Sequence, residues 1–197
     1  MPPKQKFTPE DVVEAAFQIV RRQGWKGLSA RAIANELSSS TRPIYDYFHS
    51  MKDIEMAVVK KALATFVAYI GRDLTGDKWL DQAIGYTTFA GEEKHLFRCI
   101  NDEDHIRFQR ELAQQHWAAL GEQLAADERF KDLPESVFNR IRVARWFMVH
   151  GIAYLIANGW MENPLTEDTP LEKNFIGMDL QEFLDRANKA LYHGFRD

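Results

Sequence analysis

The chain has 197 residues, a net charge of −4, 45% hydrophobic residues and one cysteine, Cys99. That length fits one compact domain, or a small module joined to a larger one through a shared helix. The lone cysteine excludes an internal disulfide and a cysteine-rich zinc site. The longest apolar run, Trp146 to Ala157, is broken by His150 and Gly151 and is too short to cross a bilayer. With no apolar signal core in Met1 to Lys6, these features predict a soluble, cytoplasmic protein with no membrane partner.

Helix signals follow one another from residue 8 onward, and no stretch alternates apolar and polar residues long enough to predict a strand. The first helix opens with Thr8 as N-cap, Pro9 at the first helical position and Asp11 three residues after the cap. Phe7 and Val12 are spaced for a hydrophobic staple. Its apolar face is Val12, Val13, Ala16, Phe17 and Val20, and Gly24 ends it. A second helix begins after Ser29 and runs to about Leu37, and a very short one spans Ser40 to about Phe48. A long helix is capped by Ser50, with Asp53 at the third position, and reaches about Leu74. Further helices are predicted near 77–91, 93–100, 104–126, 134–160 and 179–193. Met161 to Met178, with Pro164, Pro170 and Gly177, reads as a long loop. The fold class is all-α: an N-terminal three-helix bundle over 1–55 and a C-terminal helical bundle over 56–197.

Charge is distributed unevenly. Residues 1–61 hold ten Lys and Arg against seven Asp and Glu, whereas residues 62–197 hold fifteen against twenty-two. A basic end on an acidic body suits a protein that offers only that end to phosphate. In that end, Ile33 and Leu37 give the second helix a buried face, Ala34 is small at the crossing, and Ile44 and Phe48 anchor the short helix. This is the apolar spacing of a helix-turn-helix. The short helix then exposes Thr41, Arg42, Pro43, Tyr45, Asp46 and Tyr47. Arg42 is the candidate base reader, because a guanidinium can fork onto guanine O6 and N7. Thr41 suits a thymine methyl or a phosphate, and Pro43 offers apolar surface in a first turn whose amides have no helical acceptor. Tyr45, Tyr47 and Lys52 are candidate phosphate contacts that set register. For the two tyrosines, packing against the first helix stands as the alternative.

The run Leu28-Ser29-Ala30-Arg31-Ala32-Ile33-Ala34-Asn35-Glu36-Leu37, followed by Ser40, Ile44-Tyr45, Tyr47-Phe48 and Lys52-Asp53, resembles the DNA-binding region of TetR-family regulators. The match covers about residues 8 to 55. The resemblance implies a ligand-responsive transcriptional regulator, more often a repressor than an activator. Such a protein dimerises through its last two helices and leaves operator DNA on binding a small molecule. It also implies that Arg31, Thr41, Arg42, Pro43, Tyr45, Tyr47 and Lys52 face DNA. The chain departs from the family where a Gly and an apolar residue usually follow the leucine of the second helix: here stand Ser38 and Ser39. A serine in a left-handed turn costs on the order of 1 kcal/mol, and a looser turn is expected. Further along, Trp146 to Ala153 resembles the Trp-x-x-x-His-Gly pattern of the family's WHG subgroup.

The C-terminal half is rich in aromatic residues at helical spacings. Phe66, Tyr69, Tyr86, Phe89, Phe97, Phe108, Trp117 and Trp146, with His150 or His116 for orientation, are candidates to line an apolar pocket, although aromatics at such spacings more often form plain core. Asn101 to His105, near Glu92, Glu93 and His95, reads as a turn and helix start and not as a metal site, so no metal and no cofactor are expected. No P-loop, dinucleotide glycine pattern, GxSxG elbow or HExxH occurs, and an enzyme is not expected. The expected partners are double-stranded operator DNA, a second copy of the chain and a small-molecule effector. The alternative is a helical protein-interaction module without sequence-specific DNA binding.

Overall fold

In the computed structural model, every regular element of the described residues is a helix. These residues are 7–161 and 178–196, without the side chains of 106–109 and 111. The predicted loop after Met161 therefore lies outside the described residues, apart from its two ends. In chain order the elements are α1 (Pro9–Gln23), a 3-10 turn (Trp25–Gly27), α2 (Ala30–Glu36), α3 (Arg42–Tyr47), α4 (Met51–Ile70), α5 (Lys78–Glu92), α6 (Lys94–Ile100), α7 (Glu103–Ala125), α8 (Glu135–Ala157) and α9 (Leu180–Arg196). All the predicted helices are present. The largest difference is at α4, which stops at Ile70, short of Leu74; the next glycine, Gly71, donates to the Val67 carbonyl at 2.9 Å.

The chain divides into two units, Met1–Thr65 with Glu93–Arg110, and Phe66–Glu92 with Glu111–Asp197. In the first, α1 packs against α2, α3 and α6. Its start is fixed by a capping box: the Thr8 hydroxyl accepts from the Asp11 amide at 3.2 Å, and the Asp11 carboxylate accepts from the Thr8 amide at 2.7 Å. Val12, Ala16, Phe17 and Val20 are buried as the periodicity requires, and Ala15 and Ile19 widen that face. Gly24 ends the helix at φ +69°, the left-handed region, where its amide donates to the Val20 carbonyl at 2.7 Å. A Cβ there would also stand 3.2 Å from His95 Nδ1. Arg21 of α1 holds the buried Glu93 carboxylate through two hydrogen bonds, which ties α1 to the start of α6. A second capping pair, Ser50 with Asp53, starts α4.

In the second unit α5, α8 and α9 pack on one another. Trp79, Leu124, Phe130, Phe138 and Ile141 form one apolar cluster, and Leu80, Ala83, Val149 and Leu184 form another. Arg145 lies among them. Its guanidinium sits 3.9 Å from the Trp79 ring centre and donates to the Trp79 carbonyl, to Asn188 Oδ1 at 3.2 Å and to Gln82 Oε1 at 3.4 Å, linking α8 to α5 and α9. Burial drives its pKa down to about 9. Asp77 caps α5, accepting from the Trp79 amide at 2.9 Å, and takes two hydrogen bonds from Arg129. Among the described residues, no helix is long and apolar enough to cross a membrane.

α5 crosses the last turn of α4 at backbone distance. A Cβ on Gly85 would meet the Tyr69 carbonyl oxygen at 2.2 Å and the Ile70 Cα at 2.9 Å, so the hydrogen of glycine is the largest substituent that fits. Gly85→Ala should therefore destabilise the protein by at least 1–3 kcal/mol, the ordinary cost of overpacking, because backbone must move to admit the methyl. Chemical denaturation checks this; a midpoint equal to that of the native chain would contradict the packing.

Candidate functional site

α2 starts with Ser29, whose Oγ accepts from the Ala32 amide at 3.1 Å, and it buries Ile33 and Ala34. α3 buries Ile44 completely, while Leu37 and Phe48 are half-buried at the ends of the two helices. The turn between them is ordered by its backbone. Ser38 is the one non-glycine among the described residues with positive φ, at +49°. Its amide donates to the Asn35 carbonyl at 3.0 Å, and the Ser39 amide donates to the Ala34 carbonyl at 2.8 Å. This pair of bonds is the Schellman closure, with serine where glycine is usual. The expected loosening of the turn is not seen: the hydrogen bonds of the glycine version are kept and the serine bears the strain.

The α3 surface is then defined by what Ile44 takes inward. Thr41, Arg42 and Asp46 are exposed, Tyr45 is 47% exposed, and Pro43 is half-buried in the first turn. Arg31 on α2 and Lys52 in the first turn of α4 are exposed as well. Among the described residues, none of Arg31, Arg42 and Lys52 is engaged in an ion pair, so each guanidinium or ammonium remains available to an outside anion. Tyr47 differs from the rest. It is half-buried, its ring meets Phe7 edge-on at 6.4 Å, and its hydroxyl donates to the Phe7 carbonyl at 2.9 Å. Phe7, read from the sequence only as a staple residue, is thus also the partner of α3. A contact of that kind, 40 residues apart in sequence, leaves no local signal.

Seven of the nine pocket candidates form one aromatic chain in the second unit. Tyr69 meets Phe89 at 5.4 Å, Phe89 meets Phe66 at 5.2 Å, and Phe66 meets Tyr86 edge-on at 4.8 Å. Tyr86 then reaches His150, His150 reaches Trp146 at 5.7 Å, and Trp146 reaches Trp117 at 6.1 Å. The polar centre of the chain is the 2.8 Å hydrogen bond between the Tyr86 hydroxyl and His150 Nδ1. Burial raises the Tyr86 pKa to about 12 and lowers that of His150, so at neutral pH the bond joins a neutral phenol to a neutral imidazole. Phe97 belongs to the first unit, where it is buried. The side chain of Phe108 lies outside the described residues.

No family model matches the chain. An uncharacterized HTH-type transcriptional regulator of Mycobacterium tuberculosis, Rv0681, is 27% identical over 89 residues, which are 43% of this chain and 41% of that protein. The chain thus matches about two-fifths of the length of this curated relative. Among solved structures, the transcriptional regulator SCO7222, a TetR from Streptomyces coelicolor, aligns with 96% of this chain and 98% of its own. The TM-score is 0.65 at 18% identity. The all-helical architecture is that of a TetR regulator, and the resemblance read from residues 8–55 is borne out at the level of the fold.

The turn yields a direct test. Ser38→Gly should stabilise the protein by roughly 0.5–1 kcal/mol, since glycine occupies φ +49° without the Cβ penalty. The denaturation midpoint should rise with an unchanged slope; a fall would mean that the serine side chain contributes more than its strain costs.

Proposed function

We propose that the protein is a TetR-type transcriptional regulator, acting in the cytoplasm as a repressor that binds a palindromic operator as a homodimer and is released by a small apolar or aromatic ligand. The observation that carries this reading is the α3 surface. A six-residue helix keeps one large apolar residue, Ile44, inside and leaves Thr41, Arg42 and Tyr45 outside, within a fold shared with a TetR regulator. In the major groove the first turn of such a helix meets base edges, so Arg42 reads guanine, Thr41 and Pro43 lie against neighbouring bases, and Arg31, Tyr45 and Lys52 hold the phosphates.

The homodimer reading is supported by α8. Val143, Phe147 and Tyr154 are exposed, Phe147 by 63% and Tyr154 by 54%, and their spacing with exposed Gly151 puts them in one stripe along the helix. A second copy that covers this stripe and α9 would pair two recognition helices, which successive half-sites require to stand about 34–36 Å apart, or a multiple of that, in the DNA-bound state. The effector reading rests on the aromatic chain around Tyr86 and His150, where two polar groups orient a ligand among apolar rings. The WHG-subgroup reading of α8 is supported by the order of Trp146, His150 and Gly151. A ligand there releases DNA only by binding one arrangement of the dimer more tightly than the other.

The deciding experiment is selection of duplexes from a random pool, followed by quantitative binding at two salt concentrations. A palindromic consensus with a steep salt dependence is expected, and Arg42→Ala should lose about 1–3 kcal/mol at particular base pairs only. Enrichment of no duplex would leave the helical protein-interaction module as the better description. Phe147→Asp should shift the protein from dimer to monomer in sedimentation and cost most of its operator affinity; a variant that stays dimeric would move the interface elsewhere.

A further inference from the structure

Two arginines stand one turn apart on α8, and their surroundings differ. Arg145 has three neutral acceptors and feels the charge of Asp77. Arg142 is also buried, at 9% exposure, yet among the described residues its guanidinium makes one hydrogen bond, from Nη2 to the Trp117 carbonyl. Burial holds its pKa below the usual arginine value, and no carboxylate charge offsets that effect. The slot around it is nevertheless built to its shape. The guanidinium carbon lies 4.2 Å from the Trp117 ring centre and 5.3 Å from that of Phe138. On α7, Gly121 leaves the space that the group fills: a Cβ there would stand 2.4 Å from Nη1 and 2.6 Å from Nη2. No nitrogen of Arg142 is both fully buried and unpartnered, so the donors it leaves unused, on Nε and Nη1, reach solvent.

A cation taken out of water with most of its donors unused is costly, and a carboxylate is the group whose two oxygens match a guanidinium fork. The aromatic surroundings add to this. Arg142, Trp146 and His150 follow one another at intervals of four and share one face of α8. Trp117 meets Trp146 at 6.1 Å with an interplanar angle of 70°, and both indoles are partly open to solvent. Residues four apart on a helix have Cβ atoms about 6 Å from one another, which is the reach of an aryl ring from its own carboxylate. We propose that Arg142 is the anion-binding residue of a site for aromatic carboxylates. The carboxylate takes the free donors of the guanidinium, and the aryl group lies against Trp146 and Trp117. This deepens the effector reading and rests on it, since it gives the ligand of the aromatic chain a negative charge.

The probes are cinnamate and its neutral counterpart cinnamamide, titrated into the native full chain by calorimetry. Cinnamate should bind, and the amide should bind about 10- to 100-fold more weakly, the range expected of hydrogen bonds to a charged group. Arg142→Gln should erase that preference while binding of the amide is retained. Arg142→Lys keeps the charge without the fork and should retain part of the preference; it serves as the second variant if glutamine prevents folding. Equal binding of acid and amide by the native protein overturns the proposal and leaves the effector site as one for neutral ligands. Absence of cinnamate binding at millimolar concentration overturns it too, as does a preference for the acid that survives in Arg142→Gln. Cinnamate binding that depends on Arg142 but leaves operator affinity unchanged upholds the anion site and removes its part in DNA release, so the two failures are told apart.

Discussion

A helix of six residues does not hold together in water, because nucleating its first turn costs more than so few hydrogen bonds return. α3 exists because the rest of its unit holds it at both ends and beneath. Ile44 is fully buried below it, the Schellman closure at Ser38 and Ser39 fixes its approach from α2, and Tyr47 ties its last turn to Phe7. Each of these removes freedom from a segment whose outer face carries Thr41, Arg42 and Tyr45. On the proposed regulator reading that rigidity has a use: a bidentate base contact would need its donor placed to within a fraction of an ångström, and a loose helix would spend binding energy on ordering.

The strain at Ser38 belongs to the same constraint. The left-handed position is demanded by the backbone hydrogen bonds of the turn, and the chain meets that demand without the glycine that would satisfy it most easily. Strained residues persist where their surroundings over-determine them. Here the surroundings are Ile33 and Ala34 on one side of the turn and Ile44 on the other, all buried.

In the second unit the comparable element is polar. Arg145 is an ion surrounded by apolar clusters, and its neighbours are neutral acceptors from α5 and α9. A buried cation satisfied in this way adds little net stability but penalises any packing in which those acceptors are displaced, so it favours one arrangement of three helices over others. The aromatic chain from Tyr69 to Trp117 runs through the same unit, and the polar pair within it, Tyr86 with His150, spans α5 and α8. Core and candidate ligand site are made of the same side chains, which explains why spacing alone could not separate the two readings.

The helices were legible from local signals. Thr8, Ser29 and Ser50 mark N-termini by hydrogen bonds three residues long, Gly24 marks an end by its φ, and the apolar period identifies Val12, Ile33 and Ile44 as inward. The helix-turn-helix was legible for the same reason, since its spacing is fixed within about twenty residues. Contacts between distant residues were not. That Glu93 to Arg110, with Phe97, belongs with the N-terminal unit, that Arg21 closes on Glu93 and that Tyr47 turns to Phe7 all depend on chain segments meeting across tens of residues. Sequence alone determines which residues want to be buried, capped or turned, because those preferences are set by a residue and its near neighbours. Tertiary structure alone decides which partner each finds, because that choice is made by shape and packing across the whole chain.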